Sequence, residues 1–325
     1  MMNFNADLTP ADALAHVFEN NRNRPWVFVR PLGNWGDHLI FAGAEYLATS
    51  IGLKWVSCET AEFESFQTTS DHCVYLQGGG GYNSWGSGRA FVNLELAVAR
   101  PVHMVVQGPM STEGDLQWLA TRMRNALSTV RCRNTLIFAR EQTTLKILHS
   151  LALTEFGVTV CSGQDTALEL NTTRLLEIAR LPTLPEAKYE LVVLREDNEQ
   201  PTALFTGDTP IIRALRSDAI AIDPAYVASS FSHWVKIHLL ARSITTNRLH
   251  SSIVGLIAGK PVIMGPGSYH KNQSVWSSSL RHRGVKWVDK IEHPSDPLWR
   301  VLPQWMRDSY KIRQLRLLYH GVPLS

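Results

Sequence analysis

Short apolar runs alternate along the chain with longer segments whose apolar residues recur at helical spacing. Thr9 and Pro10 are residue types favoured at a helix start, so the chain is expected to open with a helix. The alternation of strands and helices predicts βαβ units and a parallel sheet covered on both faces. In the first half we predict strands at 26–29, 55–58, 73–76, 102–106, 136–139 and 158–161, and helices at 38–51, 113–128 and 143–156.

The alternation of strands and helices is interrupted at residues 171–188, a mixed polar and apolar stretch that contains Pro182 and Pro185. It resumes after this stretch. This break predicts a domain boundary, with one domain over 1–172 and another over 187–325. The expected fold class is α/β, with two Rossmann-like doubly wound domains facing a cleft and ligands at the carboxyl ends of the strands. The second half is predicted to have strands at 191–194, 219–222, 243–246, 261–264 and 285–288, and helices at 230–241, 249–258 and 272–283.

Composition narrows the class of protein. Of the 325 residues, 44% are hydrophobic and 19% charged, which is typical of a globular chain. No apolar run approaches the length of a membrane span, and the N-terminus lacks the pattern of a secretory signal. The four cysteines form no C-x-x-C pair, which favours a cytoplasmic protein with buried, reduced thiols. With 32 basic against 29 acidic side chains, a nucleic-acid partner is not expected.

Two glycine-rich segments follow predicted strands of the first half. Glycine lets backbone amides approach a ligand closely, and a following helix N-terminus favours an anion. In the first segment, Asp37 is either a functional carboxylate or only a helix cap. Neither segment has the spacing of a dinucleotide fingerprint or a P-loop. The expected ligand contacts of these segments, and of two similar ones in the second half, are Gly33, Asn34, Gly36, Gly79, Gly80, Gly81, Asn247 and Gly267.

Three basic side chains also stand at predicted strand ends or loops that open helices. Arg140 suits a carboxylate or phosphate, unless it forms an ordinary salt bridge to Glu141 or Asp165. His250 falls in the first turn of a helix, and Lys271 is either a phosphate contact or a solvated surface lysine. Together with Asp37 they predict an anion-binding cleft. No group has the spacing of a zinc site, and no G-x-S-x-G elbow is present, so neither a metal nor a cofactor is expected.

An ordered set of motifs carries a family resemblance from about residue 30 to residue 285. The set is GNWGD, QGGGGYN, FAREQTTLKIL, TNRLHSSIVGLIAGKPVI and SYHKN. In this set the chain resembles the polysaccharide pyruvyl transferases. The resemblance implies a GT-B-like fold and transfer of the enolpyruvyl unit of phosphoenolpyruvate to a sugar, giving a pyruvate ketal and phosphate. It also implies a role in making exopolysaccharide or cell-wall polymers.

The same resemblance implies roles for individual residues. Arg140, His250 and Lys271 match the positions that hold phosphoenolpyruvate, which is a co-substrate, and Asp37 matches the acidic residue of the first glycine motif. Ketal formation needs a proton delivered to the methylene carbon and one removed from a sugar hydroxyl. Our hypothesis assigns the acid role to His250 and the base role to Asp37, with the reverse assignment left open.

The expected acceptor is a sugar or a lipid-linked oligosaccharide. Aromatic faces suited to a sugar ring are offered by Trp35, Tyr82, Trp85 and Trp276, with Asn83 beside them, although core packing is the alternative for such residues. Basic and aromatic residues interleave over 299–320. This segment either rests on an anionic surface at the inner face of the membrane or closes the fold as a helix with a solvated basic face.

Two other classes of protein stay open at this point. A nucleotide-sugar glycosyltransferase has the same architecture, but it would need a carboxylate for the ribose at the start of a late helix. The chain has no Asp or Glu between Gly267 and Asp289. The other alternative is a non-catalytic protein that binds carbohydrate or an anion, against which the joint presence of Arg140, His250 and Lys271 argues.

Overall fold

The structure is a computed structural model that describes residues 8–30, 33–84, 88–113, 115–195, 197 and 219–291. Its contacts divide the chain into two compact units, Met1–Leu170 and Asn171–Ser325. In each unit, every strand pairing between described residues is parallel. The expected α/β class, with parallel sheets and alternating helices, is therefore confirmed.

The first unit has a sheet of seven strands in the order β2-β1-β3-β5-β6-β7, with β4 paired to β5. Its strands are β1 (Pro25–Arg30), β2 (Lys54–Glu59), β3 (Cys73–Leu76), β4 (Gly79–Tyr82), β5 (Met104–Thr112), β6 (Thr135–Ala139) and β7 (Val158–Ser162). Its α-helices are α1 (Pro10–Asn20), α2 (Trp35–Ile51), α3 (Thr60–Ser65), α4 (Arg89–Val98), α5 (Leu116–Leu127) and α6 (Gln142–Ser150). Two 3₁₀ turns follow α6, at Leu153–Phe156 and Thr166–Glu169.

Alternating side chains of the central strands place a core on each face of this sheet. Trp26 and Phe28 of β1 pack with residues of α1 and α2, such as Phe41. Val27 and Val29 point to the opposite core, which α4, α5 and α6 complete. A strand buried on both faces reads as a continuous apolar run, which is why β1 and β3 were predictable from the sequence.

The glycines after β3 form a strand, which the sequence analysis did not predict. β4 runs parallel to the second half of β5, and a β-carbon on Gly78 would lie 2.2 Å from the carbonyl oxygen of Pro109. At Gly78, the missing side chain therefore makes room for the neighbouring backbone at Pro109. The prediction that β5 ends before Gly108-Pro109 is also wrong, because the strand continues to Thr112 alongside β4.

The second unit has a sheet of five described strands in the order β12-β11-β10-β8-β9. These strands are β8 (Tyr189–Val193), β9 (Ala219–Ala221), β10 (Ala241–Thr246), β11 (Val262–Met264) and β12 (Lys286–Trp287). Its α-helices are α7 (Thr172–Ala179), α8 (Pro224–Val227), α9 (Phe231–Leu239), α10 (Leu249–Ile257) and α11 (Lys271–Val275). The single helix predicted over 272–283 is instead α11 followed by a π-helical turn, Trp276–Leu280, and a 3₁₀ turn, Arg281–Arg283.

Each sheet has a point where the chain reverses its direction of progress across the strands. In the first unit β1 lies between β2 and β3, and in the second unit β8 lies between β9 and β10. In open parallel sheets, ligands bind outside the carboxyl ends of the strands at such switch points. The topology therefore directs attention to the loops after β1 and β3, and to those after β8 and β10.

All four cysteines are buried and free, which confirms the expectation of buried thiols. Burial raises the pKa of Cys58 to about 11 and the pKa values of Cys73 and Cys161 to about 12. Within the described ranges, no helix combines the length and the apolar character needed to cross a bilayer. The basic segment 299–320 and Trp85 lie outside the described residues, so the predictions made for them stay predictions.

Candidate functional site

The switch point of the first unit is occupied by Asp37 and its neighbours. Asn34 caps α2 by accepting a hydrogen bond from the Gly36 amide at 2.8 Å, and the Asp37 carboxylate accepts one from the Asn34 amide at 2.9 Å. A β-carbon on Gly33 would lie 2.3 Å from Oδ2 of Asp37, so this turn requires glycine. Asp37 is thus the second member of a capping box, and the cap itself is Asn34.

A second loop reaches the same place from β3. The Gln77 side chain donates from Nε2 to the Asp37 carbonyl at 2.8 Å. Gly79 has φ of +122°, and a β-carbon there would lie 3.4 Å from Oδ1 of Asp37. The structure therefore brings Gly33, Asn34, Gly79 and Asp37 together at one edge of the sheet.

The structure places Arg140, predicted either to bind an anion or to form an ordinary salt bridge, in a buried ion pair. Its side chain is 1% exposed, with Nη1 2.6 Å from Oδ2 of Asp165 and Nε donating to Ser111 Oγ at 2.7 Å. Asp165 is also only 1% exposed, so the two charges neutralise each other inside the protein. The salt bridge to Asp165, one of the alternatives read from the sequence, is the observed arrangement.

The aromatic candidates for the acceptor divide into different environments. Tyr82 is 1% exposed, packs against Phe91 and donates its hydroxyl to Gln107 Oε1 at 2.6 Å, so its ring is not available to a sugar. The prediction that Tyr82 offers its ring to the acceptor sugar is therefore wrong. Trp35 is half-buried, with its ring centroid 5.1 Å from that of His38. Trp276 is half-buried and donates from its indole nitrogen to the Val285 carbonyl at 2.8 Å.

The switch point of the second unit lies where β10 passes into α10. Arg248 is the N-cap residue of α10, but its side chain makes no capping hydrogen bond. Asn247 is fully buried and accepts a hydrogen bond from the Arg195 amide at 2.8 Å through Oδ1. Its Nδ2 is buried and has no hydrogen-bond partner. A buried donor in this state is uncommon and calls for an acceptor.

The start of α11, which follows the loop after β11, is hydrogen-bonded to this junction. Asn272 donates from Nδ2 to the Asn247 carbonyl at 2.6 Å, and a β-carbon on Gly267 would lie 3.4 Å from the same nitrogen. Lys271, the residue before Asn272, is 7% exposed, with Nζ 4.9 Å from the centroid of the Tyr269 ring. The alternative of a solvated surface lysine is therefore wrong. His250 is half-buried at the second position of α10.

Arg248 also belongs to a network of ion pairs that the sequence analysis did not predict. The guanidinium of Arg248 binds Asp223 Oδ2 through Nε at 2.8 Å and Asp197 Oδ2 through Nη2 at 3.1 Å. Arg195 binds the same Asp197 carboxylate with two nitrogens, at 2.8 and 2.9 Å. These ion pairs between two arginines and two aspartates connect the chain after β8, the chain after β9 and the chain after β10. The sequence signal was Asp223-Pro224 directly after a strand, but no spacing pairs it with Arg248.

A buried histidine, His238, is hydrogen-bonded to the first turn of α10. It is fully buried, its Nδ1 lies 2.8 Å from the Trp234 carbonyl, and its Nε2 lies 2.9 Å from Ser251 Oγ in the first turn of α10. Since a carbonyl only accepts, Nδ1 carries the proton and Nε2 accepts from the Ser251 hydroxyl. Burial lowers the pKa of His238 to about 4, so the ring is neutral near pH 7.

The protein is expected to lose stability as the pH falls through this range. The unfolded histidine binds its proton near pH 6.5 and the folded one only near pH 4, so unfolding is favoured progressively between these values. The loss attributable to His238 amounts to about 3 kcal/mol at most. Urea unfolding at pH 7 and pH 4.5 should show a smaller pH dependence in His238→Gln than in the wild type. Replacing the exposed His282 by Gln is the control, and an equal pH dependence in all three proteins would contradict the assignment.

Among the described residues, no group of three or more His, Cys, Asp or Glu side chains has the arrangement of a metal site. The residues gathered at the two switch points supply amide and helix donors, a lysine and a histidine in the second unit, and a carboxylate beside glycines in the first. The donors of the second unit suit an anion. The carboxylate of the first unit suits a hydrogen-bond donor or a proton.

Comparison with known proteins gives the chain a family. No curated protein gives a significant match. The crystal structure of an uncharacterized protein from Klebsiella pneumoniae subsp. pneumoniae is similar, with a TM-score of 0.59, 19% sequence identity, and coverage of 89% of this chain and 100% of that one. That likeness concerns the fold alone. The family model described as "Polysaccharide pyruvyl transferase" matches residues 5–264, and the chain therefore belongs to the polysaccharide pyruvyl transferase family.

Proposed function

We propose that this protein transfers the enolpyruvyl unit of phosphoenolpyruvate to two hydroxyls of one sugar, in a polysaccharide or its lipid-linked precursor. One sugar oxygen bonds to C2 of the enol while a proton reaches the methylene carbon, which becomes a methyl group. The second sugar oxygen then bonds to C2, and the bond between C2 and the phosphate oxygen breaks. The departing phosphate takes up the proton of the second hydroxyl. The products are a pyruvate ketal and inorganic phosphate, so that no oxidant or reductant is required.

The observation that most supports this proposal is the junction of β10 and α10. Phosphoenolpyruvate carries a phosphate and a carboxylate, and the junction offers an uncapped helix N-terminus of a nine-residue helix. The buried Nδ2 of Asn247 adds a donor without a partner. Lys271 is the first residue of α11, and the next residue of this helix, Asn272, donates to the Asn247 carbonyl. We assign anion binding to this junction, with Lys271 as its positive charge.

In this proposal His250 is the acid that protonates the methylene carbon. It follows the N-cap of α10 by two positions, close in sequence to the donors that would hold the anion. Asp37 is the base that takes the sugar proton, and its Oδ2 is oriented by the Asn34 amide. Arg140 is assigned no substrate contact, since its charge is balanced by Asp165.

The proposal is tested by ligand-dependent thermal unfolding followed by a phosphate-release assay. We expect phosphoenolpyruvate, and not UDP, GDP or CMP, to raise the unfolding midpoint, because only a ligand of the folded state does so. Asn247→Asp places an acceptor where the donor stood and should abolish this shift. Asn125→Asp, at an exposed position, should keep it. A shift with a nucleotide alone, or no phosphate release from phosphoenolpyruvate with any glycan acceptor, would overturn the proposal.

A further inference from the structure

A second buried atom without a hydrogen-bond partner lies beside Asn247 at the junction of β10 and α10. It is Oδ1 of Asn272, a residue that is 1% exposed. The two residues are directly bonded, because Nδ2 of Asn272 lies 2.6 Å from the Asn247 carbonyl oxygen. The junction thus holds an unpaired donor, Nδ2 of Asn247, and an unpaired acceptor on its bonded neighbour. Buried polar atoms are almost always paired, so the two together call for an explanation.

The orientation of each amide is fixed by its other hydrogen bonds. Asn272 donates from Nδ2 to the Asn247 carbonyl and also, at 3.2 Å, to the Gly265 carbonyl. A carbonyl only accepts, so turning this amide over would set its oxygen against two other oxygens. Asn247 accepts from the Arg195 amide through Oδ1, which leaves its Nδ2 as the donor. The donor and the acceptor therefore cannot exchange places.

Glycine at position 267 leaves space beside the Asn272 amide. A β-carbon on Gly267 would lie 3.4 Å from Nδ2 and 3.8 Å from Oδ1 of Asn272. These are ordinary van der Waals distances, so alanine fits at this position without displacing the amide. Gly267→Ala would therefore put a methyl group beside the acceptor and remove no hydrogen bond of the fold.

A ligand that satisfies both unpaired atoms must accept one hydrogen bond and donate another. Sulfate, a carboxylate and a fully ionised phosphate have only acceptor oxygens, so each would meet the Asn272 oxygen as a second acceptor. A hydrogen phosphate group offers both functions, because one of its oxygens carries a proton. Inorganic phosphate keeps at least one proton near neutral pH, whereas sulfate keeps none. The pair of amides therefore favours a protonated phosphate among oxyanions.

We propose that Oδ1 of Asn272 accepts a hydrogen bond from a protonated phosphate oxygen, while Nδ2 of Asn247 donates to another oxygen of the same group. The inference rests on the proposed function in one respect, that the phosphate of phosphoenolpyruvate binds at this junction. When the bond between C2 and the phosphate oxygen breaks, the phosphate takes up the proton of the second sugar hydroxyl, and Asn272 accepts a hydrogen bond from it. Asn272 is thus a catalytic residue that stabilises the departing phosphate more than the bound substrate. The same contact makes inorganic phosphate a product inhibitor.

The test compares anions that differ in one hydrogen-bond donor and does not depend on catalysis. At pH 8, hydrogen phosphate and monofluorophosphate are both dianions, but fluorine replaces the protonated oxygen in the second. Thermal unfolding would be followed with the sodium salts of phosphate, monofluorophosphate and sulfate at equal ionic strength, and the Kd taken from the concentration dependence of the midpoint. We expect phosphate to bind the wild type about tenfold or more tightly than either of the other anions.

Two variants examine the acceptor. Asn272→Leu has a similar volume and removes the acceptor, so phosphate and monofluorophosphate should bind it within about twofold of each other. A merely structural role would weaken both anions alike and leave their ratio unchanged. Gly267→Ala retains the hydrogen bonds of Asn272 and should also lower the preference for phosphate, so the test does not depend on the folding of Asn272→Leu. Asn125→Leu, at an exposed position, is the matched control and should keep the wild-type ratio.

Two results would overturn the assignment of Asn272. One is equal binding of phosphate and monofluorophosphate to the wild type, or no shift with either anion. The other is an unchanged ratio in Asn272→Leu, or in Gly267→Ala where Asn272→Leu does not fold. If phosphoenolpyruvate releases no phosphate with any acceptor, yet the preference is present and the variants lose it, the proposed function fails and the phosphate site stands. If phosphate is released but no preference is found, the proposed function stands and the assignment of Asn272 fails.

Discussion

Replacing Arg140 by Met is expected to lower the free energy of unfolding of the first unit by about 3–5 kcal/mol. Arg140 and Asp165 are each 1% exposed, and the variant leaves the Asp165 carboxylate buried without its counter-charge. The energetic cost comes from this unpaired charge, because methionine fills much of the space of the arginine stem. An anion ligand in an open cleft would cost far less stability when removed.

Urea unfolding of Arg140→Met measures this effect. The double variant with Asp165→Leu should recover most of the lost stability, since no buried charge is then left alone. Arg174→Ala breaks the exposed Arg174–Glu177 pair and is the control, with an expected change within about 1 kcal/mol. A loss of 1 kcal/mol or less in Arg140→Met would contradict the buried pair.

Any effect of Arg140 on activity is expected to pass through α2. Oδ1 of Asp165 accepts the Ala167 amide at 3.0 Å, and Thr166 donates to the Ile40 carbonyl in α2 at 2.7 Å. The ion pair thus fixes the turn against the helix that carries Asp37. Arg140 is therefore a positioning residue, and its replacement should change catalysis and stability together.

His250→Ala is expected to lower kcat by about 10²–10⁴-fold, which is the usual contribution of a positioned acid or base. Under the proposed role, the variant still binds phosphoenolpyruvate, because Asn247, Lys271 and the start of α10 are unchanged. Its thermal shift with phosphoenolpyruvate should therefore be largely retained. The measurements are kcat and KM for phosphate release, together with the ligand-induced shift.

The control for His250→Ala is His282→Ala, at an exposed position outside the junction. It should retain both kcat and the shift. Should His250→Ala lose the shift in the same proportion as kcat, His250 holds the ligand and the acid must be sought elsewhere.

The strands were largely predictable because their signal is local. β3 was predicted with its observed bounds, and β1 and β6 within one residue at either end, since each is a compact apolar run. β4 was missed because GGGY has no apolar pattern, and its strand conformation depends on β5 alongside it. Helices α3, α4 and α7 were also not predicted. Helix α7 was missed because Pro182 and Pro185 led us to interpret the whole of 171–188 as a break between domains.

The candidate site was predictable only in part. Loops at strand ends can be read from glycines and helix caps, which is how Asp37, Asn247 and His250 were found. Partners distant in sequence cannot be found in this way. Arg248 meets Asp223, 25 residues away, and Arg140 meets Asp165, 25 residues away, only after the strands have paired.

The buried thiols make this protein suited to site-specific labelling. With pKa values near 11 and 12, Cys58, Cys73 and Cys161 are ionised to about one part in 10⁴ or less at pH 7, and only the thiolate attacks a maleimide. A cysteine introduced at an exposed position in each unit, such as Glu155 or His282, would react far faster than these native thiols. A donor and acceptor dye placed there would report the separation of the two units in solution, with and without phosphoenolpyruvate, without first removing those cysteines.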